Sequence, residues 1–234
     1  MTNEKRSKKA LLLAVLGIIC AVGIILISAC DKKDPVLTND GSENSQDSSD
    51  ENTRDQGTET GSEDGLDASL TYSADIVIRD YGTITVKLDQ KSAPITVLNF
   101  VNLAKSGFYD GLTFHRIKKG FMMQGGDPNG NGYGGSGNTI VGEFTSNGYN
   151  NTLSHTRGAI SMARSKNKNS ASSQFFIVHQ DSTYLDGDYA VFGYVTSGMD
   201  VVDAVCNDAK PIDSNGMIPA DAQPVITSVT IRTE

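Results

Sequence analysis

The densest group of chemically useful side chains is a fourteen-residue run from Phe114 to Asp127. It contains a guanidinium on Arg116, an amide on Gln124, and apolar groups on Phe121 and Met122. An arginine keeps its charge at every relevant pH, so this run supplies a permanent cation and hydrogen-bond donor beside apolar side chains.

Strand alternation adds a second pair of residues to this group. In extended backbone Met122 and Gln124 face the same side, and so do Gln174 and Phe176 further along the chain. Apolar groups beside a fixed cation and two amides suit a pocket for an uncharged ring attached to a peptide. Spacing alone does not name the substrate.

Signatures of metal, nucleophilic and nucleotide chemistry are missing from the sequence. The histidines His115, His155 and His179 form no His-x-x-x-His pair, and there is no Cys-x-x-Cys. No serine occupies a Gly-x-Ser-x-Gly elbow, and Cys206 is better explained as a small core residue. The stretch Gly125–Gly137 lacks the Gly-Lys-Ser/Thr ending of a phosphate loop, so we expect a long flexible loop. We therefore expect neither a metal nor another cofactor.

Charge and aromatic content divide the chain into segments. The net charge of −8 over 234 residues argues against a nucleic-acid binder. All sixteen aromatic residues lie between Tyr72 and Tyr194, so no hydrophobic core is expected before about residue 70. Residues 71–234 have a net charge of −2 and the size of a single domain.

The domain over 71–234 is expected to be mainly β. Gly-rich or Asn/Asp-rich turns separate eight short β-type runs, which indicate a barrel or a sandwich. The predicted strands are Asp75–Arg79, Thr83–Leu88, Leu112–Ile117, Phe121–Gln124, Gly158–Ala163, Gln174–His179, Ala190–Val195 and Val225–Thr233. Helical periodicity predicts two helices, Pro94–Lys105 and Gly198–Cys206.

The first thirty residues combine a basic start with a long apolar run. Residues 1–9 carry four basic side chains, and Ala10–Ala29 contains no charge, as in an export signal. The ending Ile27-Ser28-Ala29-Cys30 resembles the lipobox of bacterial lipoproteins, which predicts a signal peptide over 1–30 and a lipid anchor to the membrane at Cys30. An uncleaved membrane helix is the competing interpretation, since twenty apolar residues cover roughly 30 Å. Both interpretations leave the rest of the chain outside the cytoplasm.

Residues 31–70 form an acidic segment. They contain twelve acidic and three basic residues, no aromatic residue, and few apolar ones. Such a composition cannot bury enough surface to offset the entropy of ordering, so we expect a disordered linker that tethers the domain. A calcium-binding tract is the alternative, but the spacing of a D-x-D-x-D-G loop is missing.

Four motifs of the C-terminal domain resemble the cyclophilin family of peptidyl-prolyl cis-trans isomerases in their order and spacing. They are FHRIKKGFMMQGGDP, GAISMARS, SSQFFI and YLDGDYAVFG, and the resemblance covers about Tyr72 to Glu234. It implies an eight-stranded antiparallel β-barrel closed by two α-helices. It also implies rotation of X-Pro bonds in proline-containing polypeptides, which in this chain would assist the folding of extracytoplasmic proteins.

The same resemblance implies site residues. Arg116 matches the catalytic arginine, Gln124 matches the glutamine that orients it and holds the substrate backbone, and Phe121 matches a wall of the proline pocket beside them. The expected substrate-binding residues are Met122, Ala163, Arg164, Ser165, Gln174, Phe176, Tyr184, Leu185 and Tyr189.

Three of these positions depart from the common family residues. Arg164 stands where many members have Asn, Tyr184 where many have Trp, and Tyr189 where many have His. The departures keep an alternative open, in which the domain is a membrane-tethered chaperone module that binds peptides with little turnover. A purely structural lipoprotein is a third possibility. The sequence indicates no oligomeric state.

Overall fold

The computed structural model of the chain describes residues 65–234. The predicted signal peptide, Cys30 and most of the predicted linker lie outside the described residues. Over the range that the structure does describe, neither helix is long and apolar enough to cross a membrane.

Eight antiparallel strands form one sheet in the order β3-β4-β6-β5-β7-β2-β1-β8. All eight predicted strands are present, with bounds that differ from the predicted ones by at most three residues. The strands are β1 Tyr72–Ile78, β2 Gly82–Leu88, β3 Thr113–Lys118, β4 Met122–Asp127, β5 Ala159–Met162, β6 Phe175–Val178, β7 Val191–Ser197 and β8 Ile226–Thr233.

The sheet curls until its two end strands approach each other. Thr113 at the start of β3 forms an antiparallel bridge with Val225, which directly precedes β8. Further along β3 the edge pairs with a loop, where the N–H of Ile117 donates to the carbonyl of Gly216 at 2.8 Å. The expectation of a closed barrel is therefore corrected to a curled half-barrel, because a loop completes the β3 edge.

Two helices pack on the sheet. Helix α1 spans Pro94–Lys105, as predicted, and packs against β8. Its first turn is capped by Glu143, a buried carboxylate that accepts hydrogen bonds from the N–H groups of Ile95 (3.1 Å) and Thr96 (2.7 Å). A carboxylate there satisfies orphan donors and complements the helix dipole.

Helix α2 spans Met199–Asp208 and packs against β2. It begins one residue later and ends two residues later than the prediction Gly198–Cys206. Gly198 stands before it as the N-cap with φ +89°, a left-handed conformation that glycine adopts without a Cβ penalty. Cys206 is buried in the core, where burial raises the pKa of its thiol to about 12.

Alternating side chains divide the buried residues into an inner and an outer cluster. The inner cluster is the main core between sheet and helices, and it includes edge-to-face aromatic contacts such as Phe100 with Phe175 at 5.6 Å. The outer cluster lies on the opposite face of β4, β5, β6 and β7. It consists of Met122, Ala159, Phe176, Val178 and Val191.

The glycine-rich stretch Gly125–Gly137 extends from the end of β4 into a loop, as predicted, but it closes around one buried carboxylate. Asp127 accepts hydrogen bonds from the backbone N–H groups of Asn129 (2.8 Å), Asn131 (3.0 Å) and Gly132 (2.6 Å). Although burial raises the pKa of Asp127, these hydrogen bonds lower it overall. The loop therefore has an internal anchor that a flexible loop would lack.

Candidate active site

One row of cross-strand neighbours carries the candidate chemistry. Arg116 in β3 lies opposite Gln124 in β4, Gln124 lies opposite Phe176 in β6, and Phe176 lies opposite Ser161 in β5. Directly opposed residues on one face of a sheet have adjacent side chains. The pairing of the strands therefore brings a cation, an amide, an aromatic ring and a hydroxyl into one line.

A hydrogen-bond chain fixes the polar groups of this row. Nη1 of Arg116 donates to Oε1 of Gln124 at 3.0 Å, and Nε2 of Gln124 donates to Oε1 of Gln174 at 2.9 Å. Nε2 of Gln174 then donates to the carbonyls of Gly134 (2.8 Å) and Gly132 (3.1 Å). Each amide accepts at one end and donates at the other, so the chain determines the orientation of both amides.

A backbone carbonyl provides the second hold on the guanidinium. Nε of Arg116 donates to the carbonyl of Asn215 at 2.8 Å, and its Cζ lies 5.8 Å from the centre of the Phe121 ring. Nη2 makes no hydrogen bond to any residue between 65 and 234, so one donor of the held guanidinium stays free. Burial lowers the pKa of Arg116, but an arginine so placed is still charged.

A cavity of about 180 Å³ opens beside this guanidinium. Its walls consist of aromatic and aliphatic groups together with two arginine side chains and one glutamine side chain. The lining residues are Arg116, Phe121, Met122, Gln124, Ala163, Arg164, Phe176, Leu185 and Tyr189. The cavity is small and partly apolar, which suits a five-membered ring better than a large cofactor.

A second hollow of about 260 Å³ adjoins the cavity. Gln124, Ala163 and Arg164 border both spaces. The remaining lining of the hollow is polar or glycine, apart from one tyrosine, and consists of Gly132, Tyr133, Gly134, Ser165, Ser170, Ser172 and Gln174.

Buried polar groups support the ring of Phe176 from behind. The ring stacks on His155 with centres 5.8 Å apart, and Tyr189 meets it edge-on at 6.1 Å. Nδ1 of His155 lies 2.8 Å from Oδ1 of Asp186, and Nε2 lies 3.0 Å from Oγ of Ser161. Burial lowers the pKa of His155, so the ring is neutral near pH 7 and its two contacts fix its plane.

Arg164 is held by two backbone carbonyls and two aromatic rings. Its Cζ lies 5.0 Å from the centre of the Phe144 ring and 4.6 Å from that of Tyr189. Nε and Nη2 donate to the carbonyl of Asp188 at 2.9 and 2.7 Å, and Nη1 donates to that of Ser165 at 3.0 Å. The side chain therefore forms a fixed rim between the cavity and the hollow.

The model of the family described as "Cyclophilin type peptidyl-prolyl cis-trans isomerase/CLD" matches residues 73–232, which include every residue of this site. The chain belongs to the cyclophilin family. Its enzyme class is therefore that of the peptidyl-prolyl cis-trans isomerases.

The chain is also similar to curated peptidyl-prolyl cis-trans isomerases. Peptidyl-prolyl cis-trans isomerase B of Bacillus subtilis (strain 168) is 46% identical over 131 residues, 56% of this chain and 88% of its own length. The cypE isomerase of Dictyostelium discoideum is 44% identical over 146 residues, 60% of this chain and 92% of its own.

Solved cyclophilin structures resemble the fold. The crystal structure of a cyclophilin-type isomerase from Cryptosporidium parvum has a TM-score of 0.62 and 29% sequence identity, covering 70% of this chain and 99% of its own. The same protein in the presence of the dipeptide Ala-Pro has a TM-score of 0.61 and 30% identity, covering 69% and 99%.

The cyclophilin cavity and its adjoining hollow bring together eleven of the twelve site residues that the sequence predicted within the domain. Gln174 and Ser165 line only the hollow. Tyr184 lines neither space: it is 71% exposed and lies beside the rim, with its ring centre 5.9 Å from that of Phe121.

Sequence reasoning missed the residues that support the cyclophilin site. They are His155 behind Phe176, Phe144 against Arg164, and the carbonyl of Asn215 at Arg116. A backbone carbonyl has no side-chain signature, although the pair Asn215-Gly216 does indicate a turn.

Proposed function

We propose that Arg116 is the catalytic donor of an isomerase that rotates X-Pro bonds in extracytoplasmic proteins and thereby assists their folding. One observation carries the assignment of the donor. The guanidinium is held by Gln124 and by the carbonyl of Asn215 at the edge of a partly apolar cavity, and its Nη2 stays free.

The barrier to X-Pro rotation arises from amide resonance and amounts to about 18–20 kcal/mol. Resonance shares the nitrogen lone pair with the carbonyl, and at the perpendicular transition state that lone pair is localised on nitrogen. A donor aimed at the nitrogen then binds the transition state more strongly than either planar state, which lowers the barrier. A permanently charged guanidinium whose position is already fixed supplies such a donor without reorganisation.

The remaining site residues would hold the substrate. Phe121, Met122, Phe176 and Leu185 offer the apolar surface that a proline ring requires. Gln124, with the backbone of residues 163–165, would hold one side of the peptide while the other side rotates. Gln174 would act through Gln124, to which it is hydrogen-bonded.

The location outside the cytoplasm is supported by the sequence. A basic start, an apolar run and the ending Ile27-Ser28-Ala29-Cys30 support export and lipidation at Cys30. The acidic segment 31–70 would then hold the isomerase domain clear of the membrane surface, within reach of chains that emerge there unfolded.

Titration of the full chain with a labelled Ala-Pro peptide, followed by NMR exchange spectroscopy, tests the function. The Cryptosporidium parvum relative was crystallised in the presence of the dipeptide Ala-Pro, which supports this choice of probe. Binding with accelerated cis-trans exchange is the expected result. Binding without acceleration would indicate the chaperone module, and the absence of binding would indicate a structural protein.

Mass spectrometry of the protein from a bacterial membrane fraction tests the anchor. We expect a mature chain that begins at a lipidated Cys30, and a Cys30→Ala variant that is not processed there. An intact, unlipidated N-terminus in the wild type would contradict the lipoprotein interpretation and favour an uncleaved membrane helix. The isomerase assay is independent of this outcome.

A further inference from the structure

Two guanidinium groups border the candidate cavity without a carboxylate partner. Within residues 65–234 the ion pairs leave out both Arg116 and Arg164; they are His155–Asp186, Arg157–Asp203, His179–Asp203 and Arg232–Asp75. Asp213 acts on Arg116 only through space, and its Oδ1 accepts the backbone N–H of Met217 at 2.9 Å.

The partners of Arg164 fix its orientation but do not neutralise it. They are two backbone carbonyls and the faces of two aromatic rings, all of which are formally uncharged. The carboxylate of Asp188 accepts the hydroxyl of Ser146 at 2.7 Å and forms no ion pair with Arg164. A bound chain would therefore lie beside two guanidinium groups that form no ion pair with any of the described residues.

The adjoining hollow has the chemistry to receive a negative side chain. Arg164 borders both spaces, and neither space is lined by an acidic residue. Ser165, Ser170 and Ser172 add hydroxyl groups to the hollow. The hydroxyls of Ser165 and Ser170 already donate within the protein, to Oγ of Ser170 (2.7 Å) and to the carbonyl of Asn167 (2.6 Å), so the nearby fixed cation is the group that favours a negative charge.

Backbone geometry determines which residue of a bound chain meets the hollow. In an extended peptide, residues two positions apart project to the same side, roughly 7 Å from each other. A proline ring in the cavity therefore places the side chain two positions away over the adjoining hollow.

We propose that Arg164 is a specificity-determining residue, and that the enzyme prefers X-Pro segments with Asp or Glu two positions from the proline. This inference rests on the proposed function, because it concerns the substrate of the same site. Arg164 acts through its electrostatic field, since its Nε, Nη1 and Nη2 already donate to carbonyls of the protein.

Matched peptides test the preference. Two pairs are compared by NMR exchange, each with Glu or Gln two positions before or two positions after a single proline. For at least one pair we expect kcat/KM to be on the order of threefold higher with Glu at low salt, as for a partly exposed charge interaction. Molar salt should bring the ratio close to one, because it shortens the screening length to about 3 Å.

Variants assign the preference to Arg164. Arg164→Gln should bring the Glu-to-Gln ratio towards one, whereas Arg164→Lys, which keeps the charge, should retain most of it. Lys105→Gln removes an equal charge from the end of α1, outside both spaces, and should leave the ratio unchanged. Equal rates for Glu and Gln in both pairs would overturn the inference but leave the isomerase standing. Failure to accelerate any peptide would instead overturn the proposed function.

Discussion

Arg116 and Gln124 are direct partners across β3 and β4, and Nη1 of the arginine donates to Oε1 of the glutamine at 3.0 Å. The same amide donates to Gln174, which in turn donates to the loop that closes around Asp127. The position of the guanidinium thus depends on groups from three parts of the chain, and each of them can be tested separately.

Removal of the guanidinium should abolish most of the catalysis. We expect Arg116→Ala to lower turnover roughly 10²–10³-fold, the effect of losing one transition-state donor, with a smaller change in KM. Arg116→Lys keeps the charge but cannot replace the planar donor set, so it should recover only part of the rate. A proline-peptide assay measures both variants. Arg232→Ala is the control, because Arg232 forms an ion pair with Asp75 and does not line the cavity. Wild-type rates in Arg116→Ala would refute the assignment of Arg116 as the donor.

Replacing the amide of Gln124 with a carboxylate should disturb the hydrogen-bond chain from Arg116 to Gln174. Gln124→Glu keeps the acceptor for Arg116 but removes the donor to Gln174, which places two acceptors against each other. We expect kcat/KM to fall on the order of tenfold, the effect of losing a hydrogen bond near a charge. Gln180→Glu makes the same substitution at an exposed position outside the cavity. An equal loss of kcat/KM in the two variants would contradict the proposed role of the hydrogen-bond chain.

Gly216 should determine the position of the Asn215 carbonyl that accepts a hydrogen bond from Nε of Arg116. Gly216 has φ +93°, and a Cβ there would lie 2.7 Å from the carbonyl oxygen of Ile117. We expect Gly216→Ala to displace the turn, to lower the free energy of unfolding by about 1–3 kcal/mol, and to reduce kcat.

Gly137→Ala is a matched control for that substitution. Gly137 has a similar φ of +90°, but a Cβ there would meet nothing within 4 Å. This variant should lose stability through backbone strain alone and keep its kcat. Chemical denaturation and the peptide assay distinguish the two variants. An unchanged kcat in Gly216→Ala would show that the turn at Asn215 and Gly216 does not position Arg116.

Two buried histidines should make the fold sensitive to acid. Burial lowers the pKa of both His115 and His155 from the ordinary value of 6.5. Below pH 6.5 the unfolded chain therefore binds more protons than the folded one, so the free energy of unfolding falls as the pH falls through this window. Each histidine contributes a slope of up to about 1.4 kcal/mol per pH unit.

His115→Leu isolates one of these contributions. Both ring nitrogens of His115 are buried without a hydrogen-bond partner among the described residues, so an apolar replacement breaks no bond there. We expect a shallower loss of stability between pH 6.5 and pH 5, measured by denaturation at each pH. A slope identical to that of the wild type would show that His115 is not the titrating group.

Local periodicity was sufficient to predict much of the fold. The helix Pro94–Lys105 matches its predicted bounds, because its apolar spacing and its initial proline act within the segment itself. Alternation also predicted correctly that Met122 and Gln124 face one side. The expected closed barrel was found only in part, as a curled half-barrel, because a loop at Gly216 pairs with the β3 edge through backbone contacts that any sequence could make.

The residues that support the site could be identified only from the three-dimensional structure. Asn215 holds Arg116 from 99 positions away, and it does so through a carbonyl that every residue has. Residue types likewise do not indicate that the guanidinium of Arg164 lies over the ring of Phe144. The motifs identified the residues that face the cavity, whereas long-range pairing determined what keeps them in place.

The division between inner and outer clusters has a consequence for laboratory evolution. In β4 and β6 one set of side chains belongs to the inner cluster and the alternate set belongs to the outer cluster, as Phe175 and Phe176 illustrate. The half-buried residues that line the cavity, such as Leu185 and Tyr189, pack on the outer cluster and not on the inner one. The domain is therefore a suitable scaffold for libraries that vary this half-buried lining while the inner cluster keeps its sequence.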